Sequence, residues 1–310
     1  MAGLAGFADT AAVELGEPIR GPSALAGDWR RFWHLTYTIS RTDFKLRFYG
    51  SAGGYLWQLV RPLLMFGVLD LVYSLGKLGA IPHYPAMLLS GVVMFNFFME
   101  ATAGAVRCVV DRENFVRKIQ FPRLAIPSAV VLTACFNLAV NSFAVAVFTA
   151  VDGVPVRVTW LEIPLILVVL LILAMGIAML LSALFVRFRD VQPIWDVVGQ
   201  VLFYASLILI PLEKIQAHTG RILGIPLAHI WMANPVASIM QQYRHALLGP
   251  VPNPYYVSGK LQPTDHGGIS AAAAIGGYPE RLIPIGIVIF LFVAGFWVFN
   301  RSAPHIAENL

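Results

Sequence analysis

From Ile163 to Val186 the chain carries no charged residue. A helix needs about 20 consecutive apolar residues to cross the hydrocarbon of a bilayer, and this run supplies them without interruption. Inside lipid every backbone N–H and C=O must be bonded within the protein, which leaves only helices and closed barrels. A continuous apolar run, with no strict alternation of polar and apolar residues, selects the helix. The rest of the chain agrees. Of 310 residues 58% are hydrophobic and 13% are charged, where a soluble domain carries about 25% charge.

Six windows fit such helices, near 54–78, 85–106, 124–150, 161–186, 191–211 and 282–300. The last is bracketed by Arg281 and Arg301. The fold class expected is therefore an all-α membrane protein with six transmembrane helices. Positive charge gives the orientation. Arg20, Arg30, Arg31, Arg41, Lys45 and Arg47 precede the first window; Arg107, Arg112, Arg117, Lys118 and Arg123 lie between the second and third; Arg187 and Arg189 follow the fourth. The alternate short loops carry one cation each, Lys77 and Arg157. Cytoplasmic loops hold the excess of Lys and Arg, so both termini are expected in the cytoplasm of a bacterium, with the protein in its inner membrane. The net charge of +5 belongs to helix ends and argues for membrane topology, with no nucleic-acid partner. Residues 1–27 read as a flexible cytoplasmic tail. They hold no basic stretch followed by an apolar core, so no cleaved signal peptide is expected. Cys108 and Cys135 form no CxxC pair and read as small buried hydrophobes.

Three segments are amphipathic without being long enough to span. In 28–48, Arg30, His34, Arg41 and Lys45 share one helical face and Phe32, Leu35, Ile39 and Leu46 another, with Asp28 as a candidate N-cap; the pattern fits a helix lying in the cytoplasmic interface. In 111–121, Phe115, Val116 and Ile119 oppose Arg112, Arg117 and Lys118, between Asp111 as cap and Pro122 as stop. Such a helix suits docking of a cytoplasmic partner, and a solvated loop helix fits it equally well. In 212–248, Asn234-Pro235 is a helix start, Val236, Ile239, Met240, Tyr243 and Leu247 recur at helical spacing, and Gly249-Pro250 ends the run. With the apolar Ile222–Met232 before it, this predicts a re-entrant or interfacial hairpin on the outer side, placed to gate a pore. The stretch from there to about Gly277 reads as loop.

Ionisable residues inside a span are functional candidates by default. Arg61 lies about two turns into the first window; Asp70 is half a turn round from it, so the two do not share a face. Glu100 and Arg107 do share a face but stand about 10 Å apart along the axis, too far to pair directly. Pore lining and satisfied helix–helix contacts both account for these charges. Aromatics gather in the first window (Tyr55, Trp57, Phe66, Tyr73), the second (Phe95, Phe97, Phe98) and the fifth (Trp195, Phe203, Tyr204). Interfacial belts explain Tyr55, Trp57 and Trp195; the others suit packing or a pore on whose ring faces sugars slide by stacking. The chain holds no HExxH, GxSxG or GxxxxGK[ST] pattern, and Gly76-Lys77 and Gly259-Lys260 are both followed by Leu. Nucleotide hydrolysis, if it drives this protein, must come from another chain.

Three motifs then stand in order. They are Asp43-Phe-Lys-Leu-Arg-Phe-Tyr-Gly-Ser-Ala-Gly-Gly-Tyr-Leu-Trp57 followed by Pro62-Leu-Leu; Asn114-Phe-Val-Arg-Lys-Ile-Gln-Phe-Pro-Arg123 ending at Pro127; and Phe188-Arg-Asp190 followed by Asn234-Pro235 and Tyr243-Arg-His-Ala-Leu-Leu-Gly249. As a set, over roughly residues 30–300, the chain resembles ABC-2-type permeases, specifically the polysaccharide exporters of the O-antigen, teichoic-acid and capsule group. The resemblance implies a transmembrane domain over 28–310, a homodimer, and two cytoplasmic ATPase subunits that bind ATP and magnesium, with no cofactor in this chain. It makes 28–48 the interface helix, 111–121 the coupling helix and 212–248 the outer gate. Asn114, Phe115, Arg117, Lys118, Phe121 and Arg123 become candidates for contact with the ATPase. It implies a channel at the dimer interface lined by the first and fifth helices, with Tyr55, Trp57, Phe66, Tyr73, Phe203 and Tyr204 as candidate lining. The cargo implied is a glycan on a polyprenyl diphosphate, which Arg41, Lys45 and Arg61 are candidates to meet. The excess of Arg over Lys and the abundance of Ala and Val suggest a GC-rich genome, in whose hosts the group includes exporters of lipid-linked galactan. Other classes remain open: an exporter of a drug or small lipid, an intramembrane enzyme on lipid-linked sugars using Asp70 and Glu100, or a passive channel. The match departs from the group's pattern at Asp70 and over 250–280, which is longer and richer in Gly and Ala.

Overall fold

The computed structural model describes residues 29–48, 53–74, 83–113, 121–209, 221–222, 225–248, 255–257, 260–262 and 278–305. Its helices are α1 (Trp29–Phe48), α2 (Gly54–Ser74), α3 (Tyr84–Val106), α4 (Ala125–Val151), α5 (Ile163–Arg187), α6 (Val191–Ala205), α7 (Leu227–Met232), α8 (Pro235–Leu248) and α9 (Tyr278–Ser302). A 3-10 turn at Val158–Glu162 leads into α5. Two antiparallel pairs accompany them, β1 (Arg221–Ile222) with β2 (Ile225–Pro226) and β3 (Tyr255–Val257) with β4 (Lys260–Gln262). The second pair corrects the expectation of loop over 250–280. Tyr255-Tyr256-Val257 is β-prone.

α3 is the post of the bundle. It is mostly apolar and mostly buried, with Asn96 and Glu100 its polar exceptions, as a helix inside a bundle is. α4 and α5 pack along it most extensively, with α2, α6 and α8 completing the enclosure. His83, at φ 57°, precedes Tyr84 and Pro85, and the fixed φ of that proline suits the first turn.

Among the described residues four helices are long and apolar enough to cross a membrane: α3, α4, α5 with its leading turn, and α9 from Leu282. Four of the six expected windows meet that measure. α2 has 21 residues and carries Gln58, Arg61 and Asp70 within its apolar sequence. α6 does not meet that measure, because it has 15 residues, about 22 Å of rise against a hydrocarbon core about 30 Å thick. The expected window 191–211 is thus broken at Ala205, where side chains from α3 and α8 meet the carbonyls that a continuing helix would have bonded.

α1 lies along α4. Its buried face is Phe32, Thr36 and Ser40, spaced i, i+4, i+8, rather than the wider apolar face expected. Leu35 and Ile39 are half-buried, while Trp33, Tyr37 and Leu46 stay exposed. Thr36 and Ser40 close their hydroxyls onto their own helix, at Phe32 O (2.8 Å) and Tyr37 O (2.9 Å), and so pack as small groups. Thr133 Oγ1 of α4 donates to Ser40 O at 3.3 Å. A helix between protein and lipid has two non-aqueous faces, so apolar residues are needed on both. The N-cap expected at Asp28 lies outside the described residues.

α9 reaches the bundle through α5. A Cβ on Gly295 would sit 2.1 Å from the Gly176 carbonyl oxygen, and one on Gly176 would sit 2.6 Å from Phe292 Cα. Between membrane helices no hydrophobic gain drives association, so close backbone packing at small residues supplies the contact. Gly295→Leu is expected to push α9 off α5 at a cost of at least about 1–3 kcal/mol, read as a lower thermal midpoint in detergent. Gly286→Ala, where nothing lies within 4 Å, is expected not to lower the midpoint, since alanine favours a helix interior over glycine.

Candidate functional site

Between α1, α2, α3 and α4 lies a cavity of about 590 Å³. α1 delivers Arg47 from its last turn, where a cation suits the negative end of the helix dipole. α2 delivers Gln58, Arg61, Pro62 and Met65, and α3 contributes Asn96 and Glu100. Pro62 has no N–H, so the Gln58 carbonyl loses its helical donor at the cavity wall. Arg47 Nη1 donates to Glu100 Oε1, and Asn137 Nδ2 of α4 donates to the same oxygen. One carboxylate of α3 thereby ties α1 and α4 together.

Asn137 and Asn141 stand i, i+4 on the α4 face turned to α3. The side-chain oxygens of both are buried and find no donor among the described residues. Arg61 is exposed and makes no ion pair among the described residues. With Arg47 and Arg61 against Glu100, the wall carries one net positive charge. Each guanidinium presents five N–H donors in a fixed fork, which matches carboxylate or phosphate oxygens. The arrangement can hold an anion together with neutral hydroxyl-bearing groups.

The structure brings only some of the expected site residues together. Arg61 lines the cavity; Arg41 and Lys45 are exposed on α1 and do not. Arg47, read from sequence only as one topology-setting charge among several, is the α1 cation that does. Asn96, Asn137 and Asn141 were also missed. Their signal was an amide in an otherwise apolar span, which is costly unless it faces protein. Asp70 does not line this cavity, so the acidic pair that an intramembrane enzyme would need is not assembled here. Among the aromatic candidates, Phe66 is buried edge-on to Phe148 at 5.2 Å, and Phe203 packs on Phe95 at 5.2 Å. Trp57 and Tyr204 are 61% and 70% exposed on α2 and α6, where a pore or a second copy could reach them. The side chains of Tyr55 and Tyr73 lie outside the described residues.

Of the expected coupling residues, Asn114, Phe115, Arg117 and Lys118 lie outside the described residues. The flanks are described. Arg112 pairs with Asp43 of α1, Phe121 is buried, and Arg123 is buried with its Nη1 donating to Ala303 O beyond α9. A second, mostly apolar cavity of about 430 Å³ lies between α1 and Phe121, Ile126 and Arg112. The described flanks of residues 114–120 are therefore anchored, one to α1 and one to the residues just after α9. Cys108 sits beside this segment. Burial pushes its thiol up to about 12, with Asp111 adding to the effect and Arg112 opposing it.

Two predictions follow from this geometry. In a double-mutant cycle of Arg47→Met and Glu100→Gln, the coupling energy is expected to be about 1 kcal/mol or less, because Arg47 is half exposed and the pair is screened. Thermal unfolding in detergent measures it. The raised Cys108 value leaves the neutral thiol dominant below pH about 12. Maleimide is thus expected to leave Cys108 unmodified in the folded protein between pH 7 and 9, as read by mass spectrometry.

Comparison with known proteins places this architecture. A profile described as "ABC-2 type transporter" matches residues 34–247. The chain is 27% identical over 212 residues to the O-antigen export system permease protein RfbA of Myxococcus xanthus, covering 68% of this chain and 78% of that protein. It is 26% identical over 225 residues to the protein of the same name from Klebsiella pneumoniae, covering 72% of this chain and 84% of that one. The matched stretch runs from α1 to α8 and so contains the cavity and α7 with α8. The chain belongs to the ABC-2 type transporter family and is a multi-pass membrane permease of the kind that works with an ABC ATPase.

Proposed function

We propose that this chain is the permease subunit of an exporter of a lipid-linked polysaccharide, an O-antigen-like glycan or a cell-wall galactan, acting as a homodimer with two cytoplasmic ATPase subunits. The relatives named as O-antigen export permeases carry the substrate class. The polar cavity supports it. A polyprenyl-diphosphate glycan combines an anionic linkage with many hydroxyls, and the wall offers Arg47 and Arg61 beside Asn96 and Asn141.

The dimer reading rests on unpartnered apolar faces. Leu56, Leu64 and Val68 of α2 and Ile194, Val197, Val201 and Tyr204 of α6 are exposed. In α6 only Gly199 is buried. A helix at membrane depth with so little buried and with polar residues interrupting it gains most from a second copy. In this reading α2 and α6 complete six spans per subunit, their charges turned to protein or to a channel, with both termini cytoplasmic. The glycan passes between the two copies, sliding over aromatic faces such as Trp57 and Tyr204 that stack without tight binding. The segment 111–121 takes the push of the ATPase and transmits it through Asp43–Arg112 to α1. From there Arg47–Glu100 leads into α3. Residues 227–248 close the outer end.

Purification in mild detergent tests the assembly. An ATPase subunit is expected at equal stoichiometry and is expected to be lost when Phe115, Arg117 and Lys118 are replaced together by serine. Failure of any ATPase to co-purify with the folded protein would overturn the reading. Depleting the protein is expected to make glycan-loaded polyprenyl diphosphate accumulate on the cytoplasmic side. Arg61→Ala is expected to slow export about tenfold, the loss of one charge-assisted contact, with the protein level unchanged.

A further inference from the structure

α6 stops at Ala205 within apolar sequence, and the stop is built from side chains of other elements. Leu207 is 2% exposed and sits at φ 59°, a left-handed conformation that a leucine adopts only where its surroundings over-determine it. Arg244 of α8 is 1% exposed. Its Nη1 donates to Leu207 O, and its Nη2 donates to Ile208 O at 2.7 Å. Tyr84 Oη donates to Leu209 O at 3.0 Å, and Asn234 Nδ2 donates to Ala205 O at 3.2 Å. The donors come from α8, from the first residue of α3 and from the turn before α8.

The physics of the stop is a matter of carbonyls. The last C=O groups of a helix have no donor of their own, and in a dry place they must find one. The forked guanidinium serves two at once and its charge suits the negative end of α6. Gly91 makes the space. A Cβ there would stand 3.2 Å from Arg244 Nη2. α8 is held at its far end as well. Thr159 Oγ1 and Trp160 Nε1 donate to Ala246 O and Leu247 O at 2.8 and 2.9 Å.

We propose that Arg244 is a positioning residue for gating, a latch that keeps α6 broken at Leu207 and joins its end to α8, so that α6 and the outer hairpin move as one body. This rests on the reading of residues 227–248 as the outer gate beside a channel-lining helix. Without the fork, Leu207 returns to the right-handed helical region, α6 runs on through Ser206–Leu209, and the carbonyls are bonded within the helix instead. Ser206, now fully buried, turns with the extended helix and leaves its site.

The test is the rate at which a membrane-impermeant maleimide labels Ser206→Cys in membrane vesicles, with the same chain lacking that cysteine as background. Labelling is expected to be slow in the parent and at least about tenfold faster with Arg244→Gln, the effect of losing a buried charged donor. Adding Leu207→Gly is expected to return the rate towards the parent's, because glycine adopts positive φ without strain. Leu207→Ala removes much the same packing but relieves no strain, and it is expected to leave the rate high. A parent-like rate in Arg244→Gln, or equal restoration by glycine and alanine, overturns the latch. If Arg244→Gln does not accumulate, Arg244→Lys, which reaches one carbonyl at a time, is read by the same comparison. The assay needs neither glycan nor ATPase, so loss of the export reading and loss of the latch give separate results.

Discussion

At membrane depth there is no water to complete a hydrogen bond, and the arrangement of this chain follows from that. Helices bond their own interiors; their ends and their polar side chains must be served by neighbours. α6 ends short of a full span, and Arg244, Tyr84 and Asn234 come to it. Glu100 lies in an otherwise apolar helix, and Arg47 and Asn137 come to it. Arg123 is buried, and the carbonyl of Ala303 receives it. Each of these bonds joins elements far apart in the chain, so the polar groups that apolar surroundings make costly become the ties between helices.

Packing fills the rest. With lipid as apolar as leucine, helices gain by fitting closely rather than by leaving water. α9, whose outward face is exposed Leu282, Ile285, Ile289, Val293 and Trp297, is held to α5 where Gly176 and Gly295 let two backbones touch. Arg301 over the Trp297 ring at 5.5 Å marks the end of that helix, a cation and an aromatic of the kind found at membrane interfaces.

The two ends of the bundle are built differently, and export suits that difference. At one end ion pairs join α1 to α3 and to the loop after α3, beside two cavities. At the other, α8 is pinned by hydrogen bonds to α6 and to the turn before α5. α3 connects them, with Glu100 near one end and Tyr84 at the other. α3, mostly buried, thus runs from the cavity to the turn where α6 stops.

Much of this was legible in the chain itself. Apolar runs located α3, α4, α5 and α9 within a few residues, because a span is a local property of composition and length. Asn234-Pro235 marked the start of α8 for an equally local reason, and there Asn234 Oδ1 accepts the Val236 N–H at 3.0 Å. Positive charge between the windows, and motifs spread from α1 to α8, pointed to the family that the comparisons then showed. The break in α6 was not legible, since Ser206–Ile210 reads as more of the same helix and only the distant Arg244 stops it. Nor was the choice of Arg47 over Arg41 or Lys45 as the cation facing the cavity, or the face that α1 buries. Periodicity tells which residues share a side of a helix. Which side meets protein, and which of several like charges finds a partner, depends on neighbours brought from elsewhere in the chain, and that only the tertiary structure decided.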